Sequence, residues 1–235
     1  MNVEAKWKLI GTNHVTHGGL QLPIDATREL PYYTEMILDA DTCDQLYHEV
    51  IEKYGSRVLS HVYRMDGTGS NVDLNTRYTH YYNPYTLPSG RDIENIFNCA
   101  VSAAIKKLWD VEAKPIHEAQ VLGYEERCMF VTHADNSVAG SGTWKRNDKE
   151  RDVSAILYIT EHAEHATRPG QFSGGELSLD NFTDSTGNRV LIRPRKGELV
   201  LFPSHPMFLH SVRPVSGGYR VALVNWWHVS SNDQR

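Results

Sequence analysis

The chain has 235 residues, 40% of them hydrophobic, and a formal net charge of −5. That length and apolar content allow one sizeable core, and an acidic balance without a basic block argues against nucleic acid as the main partner. Cys43, Cys99 and Cys128 are odd in number and lack metal-type spacing, which points to a reduced, cytoplasmic setting. No apolar run approaches the roughly 18 residues of a membrane span, so no membrane partner is expected.

Taken in chain order, residues 1–30, with Gly18-Gly19 and Pro23, read as an irregular N-terminal arm. Asp39-Ala40-Asp41-Thr42 has the character of a capped helix start, with Leu46, Val50 and Tyr54 on one face before Gly55. Residues 64–90, rich in Gly, Asn, Thr and Tyr, suit a mobile loop or hairpin more than core. A second helix is expected from Arg91 to Trp109, where Ile93, Ile96, Phe97, Val101, Ala104, Ile105 and Leu108 recur at helical spacing. From Glu118 the pattern changes to short strands over 118–124, 127–133, 153–160, 175–180, 189–193, 198–202, 208–213 and 219–229. Two helices followed by eight strands predict an α+β chain with a sandwich or jelly-roll core.

Within that layout Phe130-Val131-Thr132-His133-Ala134-Asp135 ends an apolar run, and His210 and Arg220 follow far downstream. Two imidazoles and one carboxylate are the protein ligands of a non-haem Fe(II) facial triad, which leaves the remaining coordination positions open. By composition alone about one His-x-Asp triplet is expected at random, and the rival His162-Ala163-Glu164-His165 lies in a polar stretch that reads as solvated. Gly140 to Asp152, polar and Gly-containing, follows the proposed metal strand and could cover the site. Arg77 could reach substrate from the loop before it, although a solvated arginine is the commoner outcome. Trp226 and Trp227 are adjacent, so on a strand they face opposite ways.

Four blocks resemble the prolyl 4-hydroxylase branch of the Fe(II)/2-oxoglutarate-dependent dioxygenases. They are Tyr124 to Asn136, Phe172-Ser-Gly-Gly-Glu-Leu177, Gly197-Glu-Leu-Val-Leu-Phe202, and His210-Ser-Val-Arg-Pro214-Val215 with Gly218-Tyr219-Arg220 through Trp226. The resemblance covers roughly residues 118–229 and makes residues 31–235 one catalytic domain with a double-stranded β-helix core and helices packed on one sheet. It implies His133, Asp135 and His210 as iron ligands, and Arg220 with Tyr158 as the grip on the distal carboxylate of 2-oxoglutarate. Tyr124, Trp226, Arg77 and Asn136 would line the substrate side. Phe130 departs from the usual Tyr, and Arg220 replaces the Lys of the collagen-type enzymes while keeping a two-toothed hold on a carboxylate. A carboxylate ligand at Asp135 argues against halogenation, since relatives that bind chloride carry a small residue there.

The reaction implied is hydroxylation of an unactivated C–H bond of a prolyl residue in a peptide or protein, consuming O₂ and releasing succinate and CO₂. Ascorbate is admitted as an accessory reductant. Two rivals stand beside it: a hydroxylase of a free amino acid or small metabolite, and a β-sandwich binding module that merely holds a metal.

Overall fold

The computed structural model describes residues 7–9, 30–63, 70–140, 143–146 and 151–229. Two helices are present, α1 (Ala40–Glu52) and α2 (Gly90–Trp109). Asp39 caps α1 by accepting from the Thr42 amide at 2.7 Å, which satisfies one of the orphan donors of the first turn. The first helix stops two residues before Tyr54, which with Gly55 and Ser56 forms a 3₁₀ turn.

The strands that build the core are β1 (Tyr33–Met36), β2 (Arg77–Tyr78), β3 (His80–Tyr82), β4 (Gln120–Tyr124), β5 (Met129–His133), β6 (Val153–Tyr158), β7 (Leu177–Asp184), β8 (Arg189–Ile192), β9 (Glu198–Pro203), β10 (His210–Val212) and β11 (Arg220–Val229). They form two antiparallel sheets. The larger runs β1-β9-β6-β11-β4-β3, with Val58–Leu59 at its edge and Ala113–Pro115 beside β11. The smaller runs from Trp7–Leu9 through β7, β10 and β5 to β2, with β8 paired to β7. This is the expected α+β jelly roll. All eight expected strands are present, most with ends moved by one or two residues and 175–180 lengthened to Leu177–Asp184.

Period-two alternation divides the large sheet between two cores. Val153, Ala155, Leu157 and Ile159 pack with Val221, Leu223 and Trp227 against the helices, where Leu46, Val50, Phe97 and Val101 meet them. Trp227 lies edge-on to Phe97, with ring centroids 5.4 Å apart. On the opposite face Ile156, Tyr158, Ala222, Leu122 and Tyr124 meet Leu177, Leu179 and Val212 of the small sheet. The inner space between the sheets therefore belongs to the even-numbered residues of β6 and β11, and both helices cover the outer face of the large sheet.

Three expectations are corrected. The arm at 1–30 contributes a strand, Trp7–Leu9, paired with Phe182–Asp184; its other residues up to 29 lie outside the described residues. Of the segment 64–90, residues 70–90 are described; Ser70–Asn71 forms a hairpin with Val62–Tyr63, in line with the expectation, but the stretch after it also enters the core. Its strands join both sheets, Tyr82 and Leu87 are core residues, and the Tyr82 and Tyr219 hydroxyls share a 2.7 Å hydrogen bond. Its polar composition concealed this because Thr79, fully buried, is satisfied by the Gly123 carbonyl at 3.0 Å. Finally, the expected cover at 140–152 begins as a hairpin of Ser137–Gly140 with Thr143–Arg146, and residues 141–142 and 147–150 lie outside the described residues. Among the described residues, no helix is long and apolar enough to cross a membrane.

Candidate metal centre and cosubstrate pocket

His133 and His210 are direct cross-strand partners on β5 and β10. Between the pairs Phe130↔Val212 and His133↔His210 the register shifts, so β5 carries a bulge. A bulge adds one residue and re-aims the side chains beyond it. Here it brings Phe130 and His133, three residues apart, onto one side, where their rings stack with centroids 3.7 Å apart.

Asp135 follows on the turn after β5. Its Oδ1 lies 3.7 Å from His133 Nε2 and its Oδ2 lies 3.6 Å from His210 Nε2. One donor atom from each of the three residues falls within 4.8 Å of the others. Both imidazoles are oriented alike: His133 Nδ1 is 2.8 Å from the Val131 carbonyl, and His210 Nδ1 is 2.8 Å from the Phe208 carbonyl. A carbonyl only accepts, so each Nδ1 carries the proton and each neutral ring turns its Nε2 lone pair toward Asp135. Burial, reinforced by the neighbouring His210, pushes His133 well below the usual histidine value, which favours the neutral ligating form. Burial alone would raise the Asp135 carboxyl, but His210, His133 and Arg151, with a 2.7 Å hydrogen bond from Ser154, hold it down and ionised. Two neutral imidazoles and one carboxylate form a donor set that fits Fe(II).

Ser154 and Ser204 were not singled out in the sequence. Ser154 donates to Asp135 Oδ2 and shares a 2.7 Å hydrogen bond with Ser204. Strand alternation could have found Ser154, which stands two and four residues before the inward-facing Ile156 and Tyr158.

Arg220 opens β11, pairs across the sheet with Tyr124 and is 1% exposed. Its guanidinium lies 4.6 Å from the centre of the Tyr124 ring, 5.0 Å from Tyr158 and 5.9 Å from Phe172. Nη2 donates to the Tyr158 hydroxyl at 3.4 Å, while the buried Nε and Nη1 have no hydrogen-bond partner. No carboxylate of the described residues forms an ion pair with it. An uncompensated buried charge is costly, so this is a cradle prepared for an anion. Gly175, at φ +62°, makes room for it: a Cβ there would stand 2.8 Å from Val215 and 3.3 Å from the Arg220 stem.

The remaining candidates are spread around this arrangement. Tyr124 lies against Arg220. Trp226 is on the inner side of β11, with the Arg151 guanidinium 3.9 Å above its ring. Asn136 is buried with its Oδ1 unpartnered, and its main-chain N–H donates to the Ser204 carbonyl at 3.0 Å. Arg77 is not a freely solvated arginine: it is half-buried, its Nε is enclosed without a partner, and its guanidinium sits 4.9 Å from the Phe130 ring centre. His162 is also not solvated. It packs edge-on to Phe172 with its Nε2 3.5 Å from Glu176, whereas Glu164 and His165 are exposed as expected.

A jelly roll enclosing a two-histidine, one-carboxylate cluster, with a buried guanidinium along the same inner space, defines the class. Residues 119–228 match the model of the 2OG-Fe(II) oxygenase superfamily, and over those residues the chain is similar to that superfamily. A PKHD-type hydroxylase of Crocosphaera subtropica is 27% identical over 143 residues, covering 61% of this chain and 57% of the relative. One of Thermosynechococcus vestitus is 34% identical over 103 residues, covering 44% of this chain and 39% of the relative. The chain thus spans about half the length of the curated relatives it matches. Among solved structures, a prolyl hydroxylase from Trichoplax adhaerens superposes with a TM-score of 0.64 at 17% identity, covering 84% of this chain and 83% of that one. A prolyl-4-hydroxylase of Pseudomonas putida gives 0.58 at 20% identity, covering 84% and 92%. At such identities the structural likeness speaks to the fold.

Proposed function

We propose that this chain is an Fe(II)- and 2-oxoglutarate-dependent dioxygenase that hydroxylates a prolyl residue in a peptide or protein. The observation that carries the reading is the combination, inside one barrel, of an open N₂O ligand set with a buried guanidinium that lacks an anion. A binding module that merely held a metal would have no use for Arg220 in that position. The solved Trichoplax relative was captured with a peptide fragment, which supports a peptide over a small metabolite as substrate.

In this reading His133, Asp135 and His210 hold the iron. The bound metal supplies activation of O₂ coupled to decarboxylation of 2-oxoglutarate, giving succinate, CO₂ and a hydroxylated carbon. The rest falls to the protein. The Val131 and Phe208 carbonyls keep the Nδ1 protons in place, so both Nε2 lone pairs stay available. Ser154 fixes the Asp135 carboxylate, an orientation of the kind that second-layer contacts give metal ligands. Arg220, with the Tyr158 hydroxyl, takes the distal carboxylate of the keto acid through charge-assisted hydrogen bonds. Tyr124, Tyr158 and Phe172 wall the guanidinium from water, which strengthens its attraction for that carboxylate.

The test is anaerobic addition of Fe(II) and 2-oxoglutarate, which should give a weak visible metal-to-ligand band, followed by succinate release under air on adding a proline-rich peptide. An iron-supplied sample that consumes no keto acid ends the oxygenase reading. Stimulation by free proline but not by the peptide moves the substrate to the small-molecule class.

A further inference from the structure

Two other guanidinium groups stand at the metal cluster, and among the described residues neither forms an ion pair with a carboxylate. Arg77 is half-buried and lies over Phe130, the ring stacked on His133. Its Nη1 donates to the His61 carbonyl at 3.3 Å, and its Nε is enclosed without a partner. The Arg151 guanidinium lies over the Trp226 ring, 3.9 Å from its centre, and its Nη1 approaches the Asp135 main-chain carbonyl at 3.5 Å. One cation therefore flanks the cluster from the His133 side and the other from the Asp135 side. Burial disfavours the charged form of Arg77; Tyr124 and Asp135 oppose that effect, and the like charge of Arg151 adds to it. The neighbouring residues Val131 and Thr132 are exposed, so this flank is open to solvent.

A neutral ligand such as a peptide carbonyl would give each arginine a hydrogen bond but would leave their mutual repulsion in place. An anion relieves both. Asp135 does not fill that role, because in the proposed reading its charge is spent on the metal. The keto acid does not either, because Arg220 sits in a separate aromatic enclosure. Seated on aromatic rings, each guanidinium keeps its plane fixed and its edge free for a two-toothed contact.

Building on the oxygenase reading, we propose that Arg77 and Arg151 form a carboxylate clamp beside the metal cluster, so that the molecule hydroxylated carries a carboxylate near the reacting carbon. That carboxylate has two sources: an acidic side chain next to the target residue of a peptide, or the α-carboxylate of a free acid.

The full chain, loaded anaerobically with Mn(II) and 2-oxoglutarate, is titrated in a calorimeter with matched acid and amide pairs. These are L-proline against L-prolinamide, and a capped Gly-Pro-Asp peptide against Gly-Pro-Asn. At least one acid should bind about tenfold more tightly than its amide, the weight of one charge-assisted hydrogen bond; which pair responds identifies the source. In the Arg77→Gln/Arg151→Gln double variant the gap should close to within about twofold, and the Lys substitutions, which keep the charge, should restore part of it. A panel in which no acid outperforms its amide overturns the clamp, as does an acid preference that survives the double variant. Succinate release measured in parallel keeps the two readings apart. Keto-acid turnover without acid preference removes the clamp alone, and acid preference without turnover removes the oxygenase reading alone.

Discussion

His133 and His210 sit directly opposite each other across β5 and β10, and each donates its Nδ1–H to the carbonyl two residues before it in the chain. Both rings are thus oriented by hydrogen bonds to the backbone, with Phe130 stacked on His133 and Phe202 edge-on to His210. Replacing either histidine by alanine should abolish keto-acid turnover, and Mn(II) binding measured calorimetrically should weaken by far more than the 10- to 100-fold typical of outer-layer contacts. Retained turnover in either variant removes that residue from the ligand set.

Ser154→Ala tests the layer behind the ligands. It removes the 2.7 Å hydrogen bond to Asp135 Oδ2 while leaving the three donors in place. Metal affinity should fall roughly 10- to 100-fold, with a loss of fold stability near 1 kcal/mol. Ser204→Ala, which touches only Ser154 in this chain of contacts, should have a smaller effect on affinity.

Arg220→Met separates binding from folding. It replaces an uncompensated buried charge by an apolar chain of similar length, a change that is neutral or stabilising by about 1–4 kcal/mol in comparable cases. The melting temperature without ligand should therefore hold or rise, while the stabilisation given by added 2-oxoglutarate, a direct measure of binding, should disappear. A variant still stabilised by the keto acid to the same degree would take Arg220 out of the cosubstrate site.

Gly175→Ala should cost about 1–3 kcal/mol in denaturant titration, the typical weight of a left-handed backbone imposed on a residue with a side chain. The added methyl group also presses on Val215 and the Arg220 stem, so the 2-oxoglutarate KM should rise as well. Gly187→Ala, where φ is +87° but nothing lies within 4 Å, should share the backbone cost and spare the KM.

Stability should fall in mild acid for reasons that do not involve the metal cluster. Burial depresses His80 and His162 below the ordinary histidine value of 6.5. For each, the folded protein binds protons less readily than the unfolded chain, so its contribution is full above 6.5 and is lost as pH falls below it. Glu125 and Glu176 oppose the shift but do not cancel it. Urea midpoints measured across that range should decline toward acid, less steeply in His80→Asn. An equal slope in the variant would discard His80 as a contributor.

Much of the fold follows from local chemistry. Alternation in 153–160 and 219–229 defines two inward-facing rows, and the apolar spacing in 91–109 defines the helix that covers the outer row, because side-chain direction along a strand or helix is set by backbone geometry alone. The block order His133, Asp135, His210, Arg220 was legible for the same reason, each block being a short local pattern. Register and approach were not. The bulge that places Phe130 on His133, the burial of Tyr82 in a tyrosine-rich segment, the enclosure of His162, and the placement of Arg77, Arg151 and Ser154 around His133 and Asp135 all depend on strands far apart in the chain. Which strands pair, and in what register, is decided by the summed packing of both sheets and both cores. No short stretch of residues carries that sum, so the candidate ligands could be read from the chain but their surroundings only from the folded molecule.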